Sequence, residues 1–488
     1  MDMTKPKLML FSHVSNTKSI TGAEKLLLLF CRCMASYFNC ILVAPGEGRL
    51  TDQARKQGTL VIIQSFPLLY GMYTPDSRLP LNAAELRSHP DYSSVVKLIG
   101  ETAPDLVLTN TIVNALPALA AKSLGIPVVW KVTEVMQENE FTTEALNIVE
   151  NSCDWMIAIS EASARAYRGR TSSPISLLPP SSDSERLHSF GELVRQSERN
   201  GLRLKEEHKC IGYISAFIHP EKGLREFIRM ALSLCPGRPD CRFVIIGRAA
   251  DHRYYDACLT DIRFSGYKSR FQFIPFVESV QSAYSAMDIL VVPSMVSEGF
   301  GMTALEGMLC GKPVVAFASG GLGELMESTG NGHLTVPVGD AQGLADKVAM
   351  LLSDPVALTN IGMHNEAAAR ALYGIEAYQR RLDQIVSQWR ECYPQWLTAG
   401  NRAPLLVEEP QVQSEPPVDK SHASRKSRRS GRRRSYYIRI TRKRKLKRPA
   451  KRSRRFASGK TLRRLKNKKG KSVGRRKRAK RWNRRLKL

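Results

Sequence analysis

The chain has 488 residues, with 74 Lys+Arg against 45 Asp+Glu for a net charge of +29. That length exceeds what one hydrophobic core supports and suits two domains of ordinary size. The apolar runs at 8–11 and 26–33 are far shorter than the ~20 residues of a membrane span, and neither has the form of a secretory leader. The ten cysteines are dispersed, with no Cys-x-x-Cys pair and no His/Cys ligand spacing. That usage fits reduced, buried thiols in a cytoplasmic protein and speaks against a disulfide framework or a zinc site.

In chain order, apolar runs predict strands at 7–11, 40–43, 60–63, 106–109, 128–132 and 155–159, separated by helical stretches such as 23–34 and 116–124. Residues 177–183, with Pro179 and Pro180, form a passage to a second series of strands at 210–214, 242–247, 271–274, 288–292 and 313–317. A long helical pattern near 375–389 ends the globular part. Alternation of strand and helix implies parallel sheets covered on both faces, so the fold class is α/β with two Rossmann-like halves. The expected organisation is a first half over 1–180, a connection at 181–208, a second half over 209–372 and a closing helix at 373–398. A Pro-punctuated linker at 399–424 and a tail at 425–488 follow.

One stretch of the second half carries chemistry: Ser297-Glu298-Gly299-Phe300-Gly301-Met302-Thr303-Ala304-Leu305-Glu306. It follows the strand at 288–292 and leads into a helix that Gly311 can end. In a parallel sheet, ligands sit beyond the carboxyl ends of the strands, where this turn falls. Glycines let backbone N–H groups approach a ligand closely, and a helix N-terminus offers unpaired donors to an anion. The carboxylates Glu298 and Glu306 accept hydrogen bonds from hydroxyls. Phosphate held by backbone and hydroxyls held by carboxylates suit a nucleotide sugar.

The segment resembles the Glu-x7-Glu motif of retaining glycosyltransferases, above all glycosyltransferase family 4. Asp288, Pro293-Ser294, Gly311-Lys312-Pro313 and the turn Ser319-Gly320-Gly321-Leu322-Gly323-Glu324 fit the same pattern. The resemblance implies a GT-B architecture, with an acceptor-side first domain, a donor-binding second domain and a last helix that packs back on the first. It implies transfer of a sugar from a nucleotide diphosphate with retention of configuration. No cofactor or essential metal is implied, and no Asp-x-Asp sequence occurs in the chain. Glu298 and Lys222, the latter in His219-Pro220-Glu221-Lys222-Gly223, become the catalytic candidates. Lys222 would neutralise the donor diphosphate. Gly299, Phe300, Gly301, Met302, Thr303 and Glu306 become donor-binding candidates, with Phe276 and Val277 beside the nucleobase and Gly22 of Thr21-Gly22-Ala23-Glu24 near the phosphates.

The chain departs from the family pattern at three positions. Phe217 stands where an Arg is usual, with Arg248 the nearest substitute. Thr21 replaces a glycine, and Thr133, with Glu134 beside it, replaces a histidine that touches donor sugar and acceptor. No catalytic histidine is named, and His13 reads as structural. The donor side is kept and the acceptor side has diverged.

The net charge has a separate origin. Residues 425–488 hold 34 basic residues and no acidic one, leaving 40 basic and 45 acidic residues in 1–424. Such a run lacks an apolar stripe and is expected to be a disordered polycation. Its partners would be polyanions, with an anionic membrane surface or an acidic polymer favoured over nucleic acid. Peripheral attachment at the inner membrane face follows. Two functions are therefore expected in order: a glycosyltransferase acting on an unknown glycan, lipid-linked or envelope acceptor, or a weakened glycosyltransferase scaffold that binds a polyanion through its tail.

Overall fold

A computed structural model describes residues 4–17, 20–182, 191–274 and 281–400. The linker beyond Gly400 and the basic tail lie outside the described residues, as do Asp183, Phe276 and Val277.

The strands of the first half are β1 (Lys7–Phe11), β2 (Asn39–Ala44), β3 (Leu60–Ile63), β4 (Leu106–Asn110), β5 (Val128–Val132), β6 (Trp155–Ala158) and β7 (Ile175–Leu177). They form one parallel sheet in the order β3-β2-β1-β4-β5-β6-β7. The second half contributes β8 (Lys209–Ile218), β9 (Cys241–Ala249), β10 (Phe271–Ile274), β11 (Ile289–Val292), β12 (Val314–Phe317) and β13 (Thr335–Val336), in the order β10-β9-β8-β11-β12-β13. These are the two parallel Rossmann-like sheets of a GT-B fold. The edge strands β7 and β13 were not expected from sequence, because runs of three and two residues show no measurable alternation.

The central strands β1, β4, β5 and β6 are buried on both faces, which is why they read as largely apolar runs. Leu8, Leu10, Leu106, Leu108 and Val129 point to one hydrophobic cluster, while Met9, Phe11, Val107, Val128 and Trp130 point to the other. The first of these clusters also contains Leu382, Ile385 and Trp389 of the Ile375–Cys392 helix. Each such side chain contributes roughly 1.5–3 kcal/mol on burial. Trp389 meets Trp155 edge-on at 6.4 Å, and Tyr37 donates to Asp383 at 2.6 Å. The final helix is thereby fixed to the sheet that begins the chain.

The second sheet has its own core, which Ile159, just past β6, joins from the first half. Asp288, immediately before β11, anchors the helix Glu192–Gly201 through Arg195 at 2.6 Å and Arg199 at 3.2 Å, and accepts from the Cys210 backbone N–H at 2.7 Å. Eight of the ten cysteines are buried, Cys40 is partly so, and Cys392 is exposed. Among the described residues no helix is long and apolar enough to cross a membrane.

Candidate functional site

In each sheet the strand order reverses direction at one place, between β1 and β4 in the first and between β8 and β11 in the second. Loops diverge from such a point and leave a crevice at the carboxyl ends of the strands. After β8 the chain turns through Pro220–Lys222 and Gly223, and after β11 through Pro293 to Gly301. The two loops are tied by the Met295 N–H, which donates to the Glu221 carbonyl at 2.8 Å. Gly223 has φ +67°, and a Cβ there would lie 1.8 Å from the Pro293 carbonyl oxygen. No other residue fits this crossing.

The crossing brings Lys222 and Glu298 together: Lys222 Nζ donates to Glu298 Oε1 at 2.6 Å, and Ser294 Oγ donates to the same oxygen. The Glu298 backbone is fixed from the other side, since its carbonyl accepts from the Gly321 N–H at 2.8 Å. Gly301, at φ +102°, opens the Met302–Leu309 helix and provides no side-chain cap. The first N–H groups of that helix have no partner within it. Phe300 is turned inward against Tyr373, with ring centroids 5.2 Å apart, so only its backbone belongs to the turn.

A cavity of about 380 Å³ lies over this turn, and the first half closes it. Lys222, Glu298 and the run Gly299, Phe300, Gly301, Met302 and Thr303 line one wall, together with Phe217. Gly22, Thr133 and Glu134 line the other. Gly22 is the first residue of the Gly22–Met34 helix, behind Thr21 as its N-cap. Glu24 completes a reciprocal capping box with Thr21, and a Cβ at Gly22 would meet nothing within 4 Å. Arg248 lies within β9 rather than beyond its end, paired in register with Phe217. Glu306 is not among the lining residues. Its Oε2 accepts from the Tyr284 hydroxyl at 3.1 Å, and its Oε1 faces Lys25 Nζ of the first half at 3.5 Å.

Sequence reasoning missed Tyr284, Lys25 and the role of Glu324. Tyr284 is fully buried and also donates to the Thr303 carbonyl at 3.3 Å, so it fixes Glu306 against the start of its own helix. Burial holds its ionisation well above the ordinary tyrosine range. Glu324 crosses to the first half, where its carboxylate accepts from the backbone N–H groups of Glu161 at 2.9 Å and Ala162 at 2.6 Å. The halves also meet at Gly299, where a Cβ would fall 2.1 Å from the Thr133 carbonyl oxygen.

The corresponding edge of the first sheet is polar and buried. Thr111, after β4, has φ +78°, uncommon for a β-branched residue, and is held there because its N–H donates to the Lys131 carbonyl and its own carbonyl accepts from Trp130 Nε1, both at 2.8 Å. Asn114 Nδ2 donates to the Phe11 carbonyl at 3.0 Å. His13 is depressed to about 4 by burial, so its imidazole is neutral, consistent with a structural residue. Burial also lowers Lys131 to about 8 and raises the Glu134 carboxyl.

Residues 208–354 match the protein family described as glycosyl transferases group 1. Among curated proteins, the chain is similar to a 2-deoxystreptamine glucosyltransferase of Streptomyces kanamyceticus, at 30% identity over 39% of this chain and 48% of the relative. It is also similar to the lipopolysaccharide core biosynthesis mannosyltransferase LpsB of Rhizobium meliloti, at 29% identity over 38% and 54%. The chain therefore spans about half the length of the curated relatives it matches. In fold it resembles Anabaena Alr3699/HepE, solved in complex with UDP, with a TM-score of 0.66 and 20% identity over 78% of this chain and all of the other. WaaG, a glycosyltransferase involved in lipopolysaccharide biosynthesis, aligns with a TM-score of 0.57 at 14% identity over 78% of this chain and 99% of its own. The motif lies within the matched residues 208–354, so the second half is similar to the group 1 glycosyl transferases, and the two-sheet fold is that of GT-B.

Proposed function

We propose that the protein transfers a sugar from a nucleotide-diphosphate donor to a hydroxyl acceptor with retention of configuration. The observation that carries this reading is the Lys222–Glu298 pair, set at the reversal point of the second sheet beside an uncapped helix start. Lys222 Nζ neutralises the departing diphosphate, and the backbone N–H groups around Gly301 to Thr303 share its charge through fixed dipoles. Glu298 accepts from the sugar hydroxyls. Glu306, held by Tyr284, accepts from the ribose hydroxyls. Phe276 and Val277 are assigned to the nucleobase side. Neither carboxylate is required as a base, because the leaving phosphate oxygen can take the acceptor proton as the new glycosidic bond forms. That HepE was crystallised with UDP and with UDP-glucose supports a uridine donor as the first to try.

Turnover of UDP-, GDP- and ADP-sugars, followed by nucleotide release, tests the reading. Release from at least one donor is expected. Glu306→Ala should keep the fold and reduce that rate by about a hundredfold, the size typical of a lost transition-state contact. Absence of release from every donor overturns the reading, and an unchanged rate in the variant removes Glu306 from the site.

The 34 basic residues of 425–488 add a second property, attachment to an anionic membrane surface or acidic polymer at the cytoplasmic face. Each basic residue near an anionic bilayer contributes about 1 kcal/mol, so partial engagement suffices. Co-sedimentation with phosphatidylserine vesicles, lost at high salt and lost in the 1–424 truncation, is the expected result. Preference for DNA over vesicles assigns the tail to nucleic acid instead.

A further inference from the structure

The wall of the cavity opposite Lys222 and Glu298 belongs to the first half, and among the described residues lining it from that side Glu134 is the one ionisable side chain. Its carboxylate is fixed by the ends of two adjacent strands. Oε2 accepts from the backbone N–H groups of Ile112 at 3.1 Å and Thr133 at 3.2 Å, while Oε1 accepts from Thr133 Oγ1 at 2.9 Å. A carboxylate accepts about four hydrogen bonds, so the geometry leaves capacity on Oε1, the oxygen not held by backbone. The neighbouring carbonyl, that of Thr133, is the group against which Gly299 packs. Glu134 is thereby held across the cavity from the Lys222–Glu298 pair by rigid elements on both sides.

We propose that Glu134 receives the acceptor. Its Oε1 accepts a hydrogen bond from the hydroxyl to be glycosylated, and its charge selects acceptors with no negative group near that hydroxyl. The proposal rests on the donor reading above, which assigns the opposite wall to the nucleotide sugar and leaves this one to the second substrate. Glu134 orients the acceptor oxygen without keeping its proton. That proton passes to the departing phosphate oxygen as the sugar–phosphate bond breaks and the sugar–acceptor bond forms. Burial raises the Glu134 carboxyl, and the three hydrogen bonds donated to it, together with Lys131 of β5, act against that rise.

A role confined to joining β4 and β5 makes a different prediction. In Glu134→Gln the amide oxygen can accept from Ile112 and Thr133 while the NH2 group donates to Thr133 Oγ1, so the junction survives and only the charge is lost. The test uses UDP-glucose, or whichever donor of the panel is turned over, with acceptors in four classes: neutral polyols and methyl glycosides, amino-cyclitols, hydroxy acids, and sugar phosphates. The wild-type protein is expected to glycosylate the neutral and amine-bearing classes. Glu134→Gln should lower kcat/KM for them by about ten- to a hundredfold, the worth of a hydrogen bond to a charged group, with UDP affinity unchanged by calorimetry. Wild-type rates in the variant, equal use of the anionic classes, or donor hydrolysis without transfer to any class overturns the proposal. If the variant does not fold, the acceptor-charge preference of the wild-type protein decides alone. A wild-type protein that binds UDP but turns over no donor overturns the transferase reading itself, an outcome distinct from the others.

Discussion

The two sheets end differently where their strand order reverses. Beyond β8 and β11 the crevice is built from backbone: Gly223, Gly301 and Gly320 take positive φ, and Gly299 and Gly321 admit chain crossings that a Cβ would block. Beyond β1, β4 and β5 it is built from buried polar side chains. His13 Nδ1, Asn110 Nδ2, Thr111 Oγ1 and Asn114 Oδ1 have no protein hydrogen-bond partner among the described residues. The first edge offers fixed dipoles and, among the described residues lining the cavity, the Lys222 ammonium. The second offers side chains that substitution can change one at a time. A common sheet topology thus yields a surface built of backbone on one side and of side chains on the other.

The largest expected effect tests the glycine-built edge. Gly223→Ala sets a Cβ against the Pro293 carbonyl at a left-handed position and should destabilise the protein by ~4 kcal/mol or more, read by urea unfolding. A loss below that of an ordinary surface substitution would mean that this crossing is not obligatory.

The polar edge is tested by pH. His13 is lowered to about 4 in the folded protein, so the unfolded chain binds its proton first as pH falls. The stability associated with neutral His13 is complete above pH ~6.5 and is lost as pH falls through ~4, a total on the order of 3 kcal/mol. His13→Asn should flatten stability between pH 7 and pH 4 by that amount in chemical unfolding curves. An unchanged slope would show that the imidazole is not held neutral.

The smallest effect concerns the contact between the edges. Glu324→Ala removes two hydrogen bonds to the Glu161 and Ala162 N–H groups and should cost about 1 kcal/mol, as for loss of a helix cap. A rise in the radius of gyration by small-angle scattering would accompany it if the halves separate. No change in either quantity would assign the contact no part in closure.

Most of the fold was legible because both sheets are parallel and their central strands are buried on both faces, so β6, β11 and β12 stand out as unbroken apolar runs. The turns that carry Lys222 and Glu298 were legible because local glycines mark them. What sequence could not yield was set by distance along the chain. Lys25 reaches Glu306 over 281 residues, and Glu324 reaches Ala162 over 162. Tyr284 lies on a short helix with no signal except its hydroxyl's final partner. The resemblance gave Glu306 and Glu298 parallel parts, yet only Glu298 lines the cavity. The Thr21-Gly22-Ala23-Glu24 segment, expected near the phosphates, contains a capping box and also borders the cavity.

The turn at Gly320 and Gly321 holds the Glu298 carbonyl, and three residues later the same turn supplies Glu324 to the first half. Occupancy of the crevice and approach of the two halves therefore act on one short segment of chain. Free energies linked through a shared segment are reciprocal: whatever a ligand adds to closure, closure adds to that ligand's affinity. A coupling of about 1.4 kcal/mol corresponds to a tenfold change in each. On the donor reading proposed above, substitutions at Glu324, which does not line the cavity, become a means of adjusting donor affinity.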